Sequence, residues 1–425
     1  MAEFFHSVTL DKDKCKGCIN CIKRCPTEAI RVRDGKASII TERCIDCGEC
    51  IRVCPHHAKK AIYDPITIIQ DYKYPIALVA PSFYGQFNNL EDADTVDAAL
   101  KEIGFSAVYE VARAAELVSD ATRRLLAEGA IPKPVLSSAC PAVLRLIRVR
   151  FPELIDHVLP LHAPVELAAR LAKQEALAAG VPEEDIGCIF ITPCPAKVTA
   201  IKMPMGAEKS EIDATVAVKK VYPLLIGIMK QQPDPEPPQT GRIGLGWGES
   251  GGEVAGLLST DDYLAADGIE NVIKVLEDLE DEKYQHLEFV ELNACSGGCV
   301  GGVLQVENPY IAKAKIKKRR RYMPVSLNHL EQDEVPPAMM WDTGLEYAPV
   351  MELGRTRQES FAKYEQLEEI MEQLPGLDCG SCGAPTCATF AEDIVRGNST
   401  VNDCTVLMRR RMEAVLKAIG LETKD

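Results

Sequence analysis

The chain has 425 residues, of which 46% are hydrophobic and 6% aromatic, a composition typical of a globular protein with about two to four domains. Its net charge of −15 argues against a nucleic-acid partner, because binding phosphate requires a basic face. No apolar run approaches the ~20 residues that span a bilayer, and the N-terminus lacks the pattern of a signal peptide, so we expect a cytoplasmic protein without a membrane span.

Seventeen cysteines dominate the chemistry of this chain. They fall into sets of eight, four and four. Clustered C-x-x-C spacing, as in the first and last sets, indicates metal binding rather than disulfides in a chain without a secretion signal. Cys188 belongs to none of these sets and begins an apolar run, so we predict that it is a buried structural thiol.

Residues 1–70 contain an internal repeat in which four cysteines recur 29 positions later. This is the spacing of bacterial two-cluster ferredoxins, in which the fourth cysteine of each run ligates the other cluster. Zinc is the alternative, but two interlocked copies favour 4Fe–4S clusters. The predicted ligand sets are Cys15, Cys18, Cys21 with Cys54, and Cys44, Cys47, Cys50 with Cys25.

The next region alternates predicted strands and helices. Residues 76–80 form a buried strand that ends at Pro81 and Ser82, and helical periodicity covers 92–103, 111–129 and 163–180. A proline-rich stretch at 231–239 is predicted to be a loop or lobe junction. This alternation predicts an α/β core.

Three apolar runs in this core each lead into cysteine, namely Cys140, Cys194, and the pair Cys295 and Cys299. If these runs are parallel strands, the thiols lie just past their carboxyl ends, where open α/β sheets place ligands. Four converging thiolates suit an iron–sulfur cluster, with zinc and Cu(I) as the other soft metals.

These stretches resemble the three H-cluster motifs of FeFe-hydrogenases, over roughly residues 70–310. The resemblance implies that the four cysteines hold a 4Fe–4S cubane and that Cys299 bridges to a diiron subsite carrying CO and cyanide. It also implies that Lys197 donates to a cyanide and that Ser82 is a second donor, although a plain strand-end turn explains Ser82 equally well. The other cofactor contacts it implies are Pro81, Ser138, Pro195, Trp247, Gly248, Ser250, Gly297 and Gly298.

The sequence departs from the family pattern on the proton path. Ala139 stands where the family has its relay cysteine, and Ala200 where a glutamate is expected; Thr192 and Asn293 replace methionines. These departures resemble the sensory type of FeFe-hydrogenase and imply slow, reversible oxidation of H2 and reduction of protons, with a redox or signalling protein as partner. The alternative is a non-catalytic electron-transfer subunit that holds only 4Fe–4S clusters.

The C-terminal region follows a basic run at 313–321, which is predicted to be a solvated surface or a site for an acidic partner. A helix is predicted at 357–374, and a second at 405–419 follows the last cysteine. The spacing C-x2-C-x4-C-x16-C resembles the small Fe–S domain of corrinoid iron–sulfur proteins, which holds one 4Fe–4S cluster; zinc is the alternative. The predicted ligands are Cys379, Cys382, Cys387 and Cys404.

The expected fold class is therefore α/β, with a two-lobed H-cluster core, a small α+β ferredoxin-like domain at the N-terminus and a small, mostly helical Fe–S domain at the C-terminus. The expected cofactors are four 4Fe–4S clusters and the diiron subsite. The predicted domains are the ferredoxin domain at 1–70, the H-cluster domain at 71–324, a connector at 325–356 and the Fe–S domain at 357–425.

Overall fold

The structure is a computed structural model that describes residues 4–87, 94–231, 237–258 and 262–419; most of the proline-rich stretch predicted at 231–239 lies outside these residues. The chain divides into two compact units. The first unit comprises Met1–Ser7, Ile45–Gly48 and Ala61–Tyr347, and the second comprises Val8–Cys44, Glu49–Lys60 and Ala348–Asp425.

The strands of both units are short, with two to seven residues each. In chain order they are β1 (Val8–Leu10), β2 (Ile30–Arg33), β3 (Lys36–Ile39), β4 (Lys59–Ala61), β5 (Tyr74–Val79), β6 (Ala107–Glu110), β7 (Val135–Leu136), β8 (Ile186–Thr192), β9 (Ala214–Ala217), β10 (Tyr263–Asp267) and β11 (Phe289–Asn293).

The helices in chain order are α1 (Asn20–Lys23), α2 (Glu49–Arg52), α3 (Asp94–Glu102), α4 (Val111–Glu128), α5 (Pro141–Arg150), α6 (Pro164–Ala178), α7 (Pro195–Lys202), α8 (Val218–Met229), α9 (Arg242–Gly246), α10 (Gly252–Gly256), α11 (Ile269–Glu280), α12 (Pro309–Arg320), α13 (Arg357–Gln373), α14 (Cys387–Val395) and α15 (Thr405–Ala418). Short 3-10 turns lie at Thr41–Arg43, Ile66–Asp71, Pro81–Gln86, Pro152–His157, Glu183–Asp185, Cys299–Gly301, Pro337–Met339 and Val401–Asp403.

Two parallel sheets form the first unit. One has the strand order β6-β5-β8-β9 and the other β10-β11-β7, and every strand pairing in both is parallel. The α/β class predicted from the sequence is confirmed, and the predicted helices at 111–129 and 163–180 appear as α4 and α6. Helices cover both faces of parallel sheets. The cysteine-bearing loops therefore lie at the ends of the strands, where the sheets are not covered.

The four-stranded sheet is buried on both faces, which is why its strands are apolar at successive positions. Leu78 and Phe190 face a core shared with α4 and α6, whereas Val79 and Ile191 face the core shared with α3, α8 and α12. Cys188 is fully buried in the first of these cores, as predicted, and its thiol donates to the Ala169 carbonyl at 3.7 Å. These two cores fix the position of the strand ends.

The second unit combines both ends of the chain. Its N-terminal part holds the antiparallel hairpin β2–β3, the pair β1–β4 and the short helices α1 and α2, consistent with a ferredoxin-like region. Its C-terminal part is mostly helical, as expected, with a small core around Phe390 where α13 packs on α14. Burying large side chains such as Phe390 stabilises so small a core by roughly 1.5–3 kcal/mol each.

Candidate functional site

The predicted cysteines of the first unit lie directly after strands. Cys140 and Cys194 are the N-cap residues of α5 and α7, each followed by proline at the first helical position, where the missing N–H costs nothing. Cys295 comes two residues after β11, and Cys299 begins a 3-10 turn. The strands before these cysteines belong to both sheets.

Lys197, on α7, lies close enough to all four thiols for their charges to act on it. Burial alone would lower the pKa of its ammonium, but the surrounding thiolates outweigh burial and raise it. Its Nζ also donates to the Ala139 carbonyl at 3.2 Å. The thiolates that raise the pKa are, in decreasing effect, those of Cys299, Cys194, Cys140 and Cys295.

These thiols have the chemistry of ligands for a soft metal. Burial raises the pKa of Cys194 to about 12 and also raises the pKa of Cys299, although the Lys197 ammonium opposes both shifts. A metal ligand must be a thiolate, and the positive charge of bound iron would offset this burial. An all-sulfur donor set with an ammonium beside it therefore fits a 4Fe–4S cubane.

A cavity of about 50 Å³ lies beside Cys299 and Lys197. Pro81 and Ser82 line it, and the buried Ser82 Oγ accepts a hydrogen bond from Gln305 Nε2 at 2.9 Å, so its own hydrogen can point into the cavity. Trp247 and Gly248 also line the cavity, and Trp247 Nε1 donates to Ser119 Oγ at 2.9 Å. The predicted shell of a diiron subsite thus lies together.

The glycines of this region let backbone segments touch. A Cβ on Gly248 would lie 2.7 Å from the Ser82 nitrogen, and one on Gly298, whose φ is +86°, would lie 2.4 Å from the Ser250 nitrogen. The Ser250 N–H also donates to the Gly297 carbonyl at 2.9 Å. Ser250 therefore joins the glycine-rich turn (residues 244–253) to the last cysteine motif, which contains Gly297 and Gly298.

Ser138 and Pro195, like Ser250, Gly297 and Gly298, do not line this cavity. Ser138 Oγ donates to the Leu161 carbonyl at 2.9 Å and lines a neighbouring cavity, together with Ala139 and Ala200. Pro195 begins α7. Neither is among the residues that line the cavity beside Cys299.

The basic run at 313–321 is partly turned inward. Arg320 pairs with the buried carboxylate of Glu249, and Lys313 Nζ donates to the Ser250 carbonyl at 3.0 Å. The prediction of a solvated surface therefore fails for these two residues, because a buried carboxylate requires a cation beside it. Both contacts hold the glycine-rich turn.

Glu253 and Glu291 line the cavity, and sequence analysis missed them. Both are buried. Their signal was weak: Glu291 is a lone acid within the apolar strand β11, and Glu253 follows Gly251 and Gly252 on α10. A charged residue inside a buried strand needs partners, and this expectation could have drawn attention to Glu291.

The two carboxyl groups have unequal hydrogen bonding. Glu291 accepts from the N–H groups of Gly251 at 2.9 Å and Val254 at 3.0 Å, and from Asn293 Nδ2 at 2.7 Å. Glu253 accepts from Ser137 Oγ at 2.6 Å. Burial, followed by the charge of Glu291, raises the pKa of Glu253 to about 8. Burial also raises the pKa of Glu291, although the hydrogen bonds from Val254, Gly251 and Asn293 oppose this shift. Glu291 thus has more hydrogen-bond donors to stabilise its charged form than Glu253 has.

The C-terminal thiols also converge. They line one small cavity, together with Leu374 and Phe390, in the second unit. Cys379 is exposed and Cys404 is buried. The four thiols are those of Cys379, Cys382, Cys387 and Cys404.

In the ferredoxin-like region, backbone N–H groups donate to thiol sulfurs. The pairs are Ala29 to Cys25 at 3.2 Å, Ala58 to Cys54 at 3.3 Å and Ala37 to Cys15 at 3.4 Å. Burial, and then the neighbouring thiolates of Cys18 and Cys15, raise the pKa of Cys21. Such N–H···S bonds tune the potentials of Fe–S clusters. Of the remaining predicted ligands, Cys50 is buried, whereas Cys44 and Cys47 are partly buried.

Family models match all three regions of the chain. The model for the iron-only hydrogenase large subunit, C-terminal domain, matches residues 73–260 and 247–303, which together exceed half of the chain. The chain belongs to the iron-only hydrogenase family. A 4Fe–4S dicluster domain model matches residues 7–55, and an Fe–S cluster model matches residues 374–406.

Individual hydrogenases are similar at low identity. Iron hydrogenase 1 of Clostridium pasteurianum is 23% identical over 390 residues, covering 74% of this chain and 68% of the relative. The periplasmic [Fe] hydrogenase large subunit of Nitratidesulfovibrio vulgaris is 29% identical over 238 residues, covering 51% of this chain and 56% of the relative. This member of the iron-only hydrogenase family thus spans only about half the length of the second relative.

A solved FeFe-hydrogenase structure is similar in fold to this chain. It superposes with a TM-score of 0.52 at 14% identity, covering 65% of this chain and 95% of that one. Among the described residues of this iron-only hydrogenase family member, no helix combines the length and apolarity needed to cross a membrane. The protein is an iron–sulfur, hydrogenase-like oxidoreductase.

Proposed function

We propose that this protein is an FeFe-hydrogenase of the sensory type, with H2 and protons as substrates and a slow, reversible reaction. The observation that carries the proposal is the convergence of four thiols on Lys197, beside a cavity lined by Ser82 and Cys299. In this proposal the thiols hold the 4Fe–4S cubane, and Cys299 also reaches the diiron subsite. A holder of the cubane alone would need neither this ammonium nor the adjoining cavity.

The chain's own residues would bind and orient the diiron group. When bound, the group would supply the metal centre at which H2 is cleaved to two protons and two electrons, or formed from them. The Lys197 ammonium and the Ser82 hydroxyl supply donors for the cyanide ligands. Trp247 and the apolar side chains of Val165 and Phe190 exclude water from the cavity.

The proton would leave through Glu253 rather than through a cysteine. Ala139 and Ala200 carry no titratable group, whereas the Glu253 carboxyl lines the same cavity and takes up or releases a proton near pH 8. Ser137, which donates to Glu253 Oε2, orients this carboxyl. Since a positioned proton carrier contributes about 10²–10⁴-fold, the loss of the cysteine relay supports a slow reaction with Glu253 as a partial substitute.

A second candidate is an electron-transfer subunit that holds only 4Fe–4S clusters. The polar cavity wall favours it, because Asn293 stands where the resemblance implies an apolar methionine, and the carboxyl groups of Glu253 and Glu291 line the same cavity. Up to four 4Fe–4S clusters would then form a chain of electron carriers. In both candidates a redox or signalling partner receives the output.

Infrared spectroscopy with an iron count separates the two. The protein is matured with the diiron cofactor and its CO and cyanide stretching bands are recorded; the hydrogenase proposal requires these bands, and K197M should weaken or shift them. Bands that are absent from a protein with full 4Fe–4S content would leave only the electron-transfer subunit. The control is K202M, which changes a lysine at the end of the same helix. Lys202 Nζ lies 3.9 Å from Asp64 Oδ1 and does not line the cavity.

A further inference from the structure

The C-terminal Fe–S region packs on the ferredoxin-like region within the second unit. The loop that carries Cys382 and Gly383 runs along β2: the Val32 N–H donates to the Gly383 carbonyl at 2.9 Å. A Cβ on Gly383, whose φ is +85°, would lie 1.8 Å from the Val32 oxygen. The two backbones are therefore in direct contact beside a predicted cluster ligand.

Buried charges hold this contact in one orientation. Arg31 forms a two-pronged ion pair with Asp393, with Nε–Oδ2 at 2.6 Å and Nη2–Oδ1 at 3.0 Å, and the two side chains are only 7% and 6% exposed. Arg33 Nη2 adds a bond to Asp393 at 2.9 Å, and Arg43 pairs with Glu392. Planar guanidinium–carboxylate pairs restrict geometry, so the regions cannot slide past each other without exposing unpaired charge.

Lys23 links the ligand segments of both regions. It lies between Cys21 and Cys25 on α1, and its Nζ donates to the carbonyls of Asp378 and Pro385. Asp378 precedes Cys379, and Pro385 lies two residues before Cys387. One ammonium is thus bonded to the loop that holds three C-terminal ligands, from a helix that carries the predicted ferredoxin ligand Cys21.

We infer that the C-terminal cluster exchanges electrons directly with the ferredoxin-type clusters, and that Lys23 is the positioning residue of this contact. In the step, one electron leaves a reduced C-terminal 4Fe–4S cluster, which is oxidised, and reduces a ferredoxin-type 4Fe–4S cluster; the direction reverses during H2 oxidation. The exposed ligand Cys379 makes the C-terminal cluster the place where an external redox partner delivers or collects electrons. The inference rests on the 4Fe–4S assignments of the proposed function, but not on the diiron subsite.

The Lys23 ammonium has an electrostatic consequence. Reduction adds a negative charge to the cluster, and a fixed cation beside the ligand loop stabilises that charge. K23M should therefore shift the C-terminal cluster to a lower reduction potential and slow its electron exchange with the ferredoxin-type clusters, and K23R should restore both. The matched control is K36M, which should leave the potential of the C-terminal cluster unchanged. Lys36 Nζ donates to the carbonyls of Lys12 and Cys15, both within the ferredoxin-like region.

The test uses electron paramagnetic resonance of the reduced, fully loaded full-length chain. Direct exchange requires clusters close enough for magnetic coupling, so removing the C-terminal cluster in C404A should slow the spin relaxation of the ferredoxin-type signals. If C404A loses one cluster by iron analysis but leaves these signals unchanged, the inference is overturned. An unchanged iron count in C404A would instead refute the C-terminal cluster assignment. Equal potentials of the C-terminal cluster in K23M and wild type would remove Lys23 from its assigned role.

Discussion

Ala139 places a methyl group at a point shared by two cavities, where the FeFe-hydrogenases that the sequence resembles have a thiol. A cysteine at this position would add a thiol that can carry a proton, in the cavity that Lys197 also lines. We expect A139C to raise H2 turnover by up to about 10²-fold, measured as H2 uptake with an artificial electron acceptor. A139S is the matched control of similar size, and an A139C rate equal to that of A139S would contradict the missing-relay account.

Glu253 carries the remaining proton route in the proposed mechanism. E253Q keeps the shape of the side chain and a partner for Ser137 but cannot release a proton. We expect H2 turnover to fall by about 10²-fold, with CO and cyanide bands still present. E288Q, at an exposed ion pair with Lys133 just before β11, should keep the wild-type rate. Equal rates in E253Q and wild type would show that protons leave by another path.

The same carboxyl predicts a pH-dependent signal. Its pKa in the folded protein is about 8, above the ordinary glutamate value of 4.5, so the fold favours the protonated form. The stability contributed by this preference is fully present below pH 4.5 and is lost as pH rises through 8. Infrared spectra should show a protonated carboxyl band that disappears above pH 8 and is absent in E253Q. A band that persists at pH 10 or is missing at pH 6 would contradict this assignment.

At the scale of elements, the strand–cysteine–helix segments were largely predictable. Apolar runs such as 76–80 and the prolines after Cys140 and Cys194 fix β5, α5 and α7 by local chemistry. The partners of buried charges were not predictable, because Glu253 meets Ser137 across 116 positions of sequence. Such pairs depend on how two sheets come together, and local spacing carries no information about that.

The close approach of the glycine-rich turn to the last cysteine motif gives a prediction at the same scale. G298A would place a methyl group 2.4 Å from the Ser250 nitrogen, in a backbone conformation that alanine rarely adopts. We expect this variant to lose the iron of the H-cluster site while keeping the terminal clusters, measured by iron analysis and electron paramagnetic resonance. G344A, at a position with open space around it, should keep all iron. Full iron in G298A would show that the turn can shift.

For the whole molecule, the iron content should divide by region. Replacing the buried ligand Cys404 in C404A should remove one cluster, about four irons, and spare the others, because its thiol lines only the C-terminal cavity among those described. Quantitative iron and sulfide analysis checks this. C188A removes a thiol of equal size from the core of the first unit and should leave the iron content unchanged. A zinc signal in place of the missing iron would favour the tetrahedral zinc alternative.

The ion pair between Arg31 and Asp393 joins residues that are 362 positions apart. A ribosome makes Arg31 long before Asp393, so the second unit cannot close until α14 has been synthesised. Until then β2 has an open edge and the Arg31 side chain has no carboxylate to bury against. Any chain that stops before α14 would therefore leave the guanidinium groups of Arg31 and Arg33 without their carboxylate partner on α14.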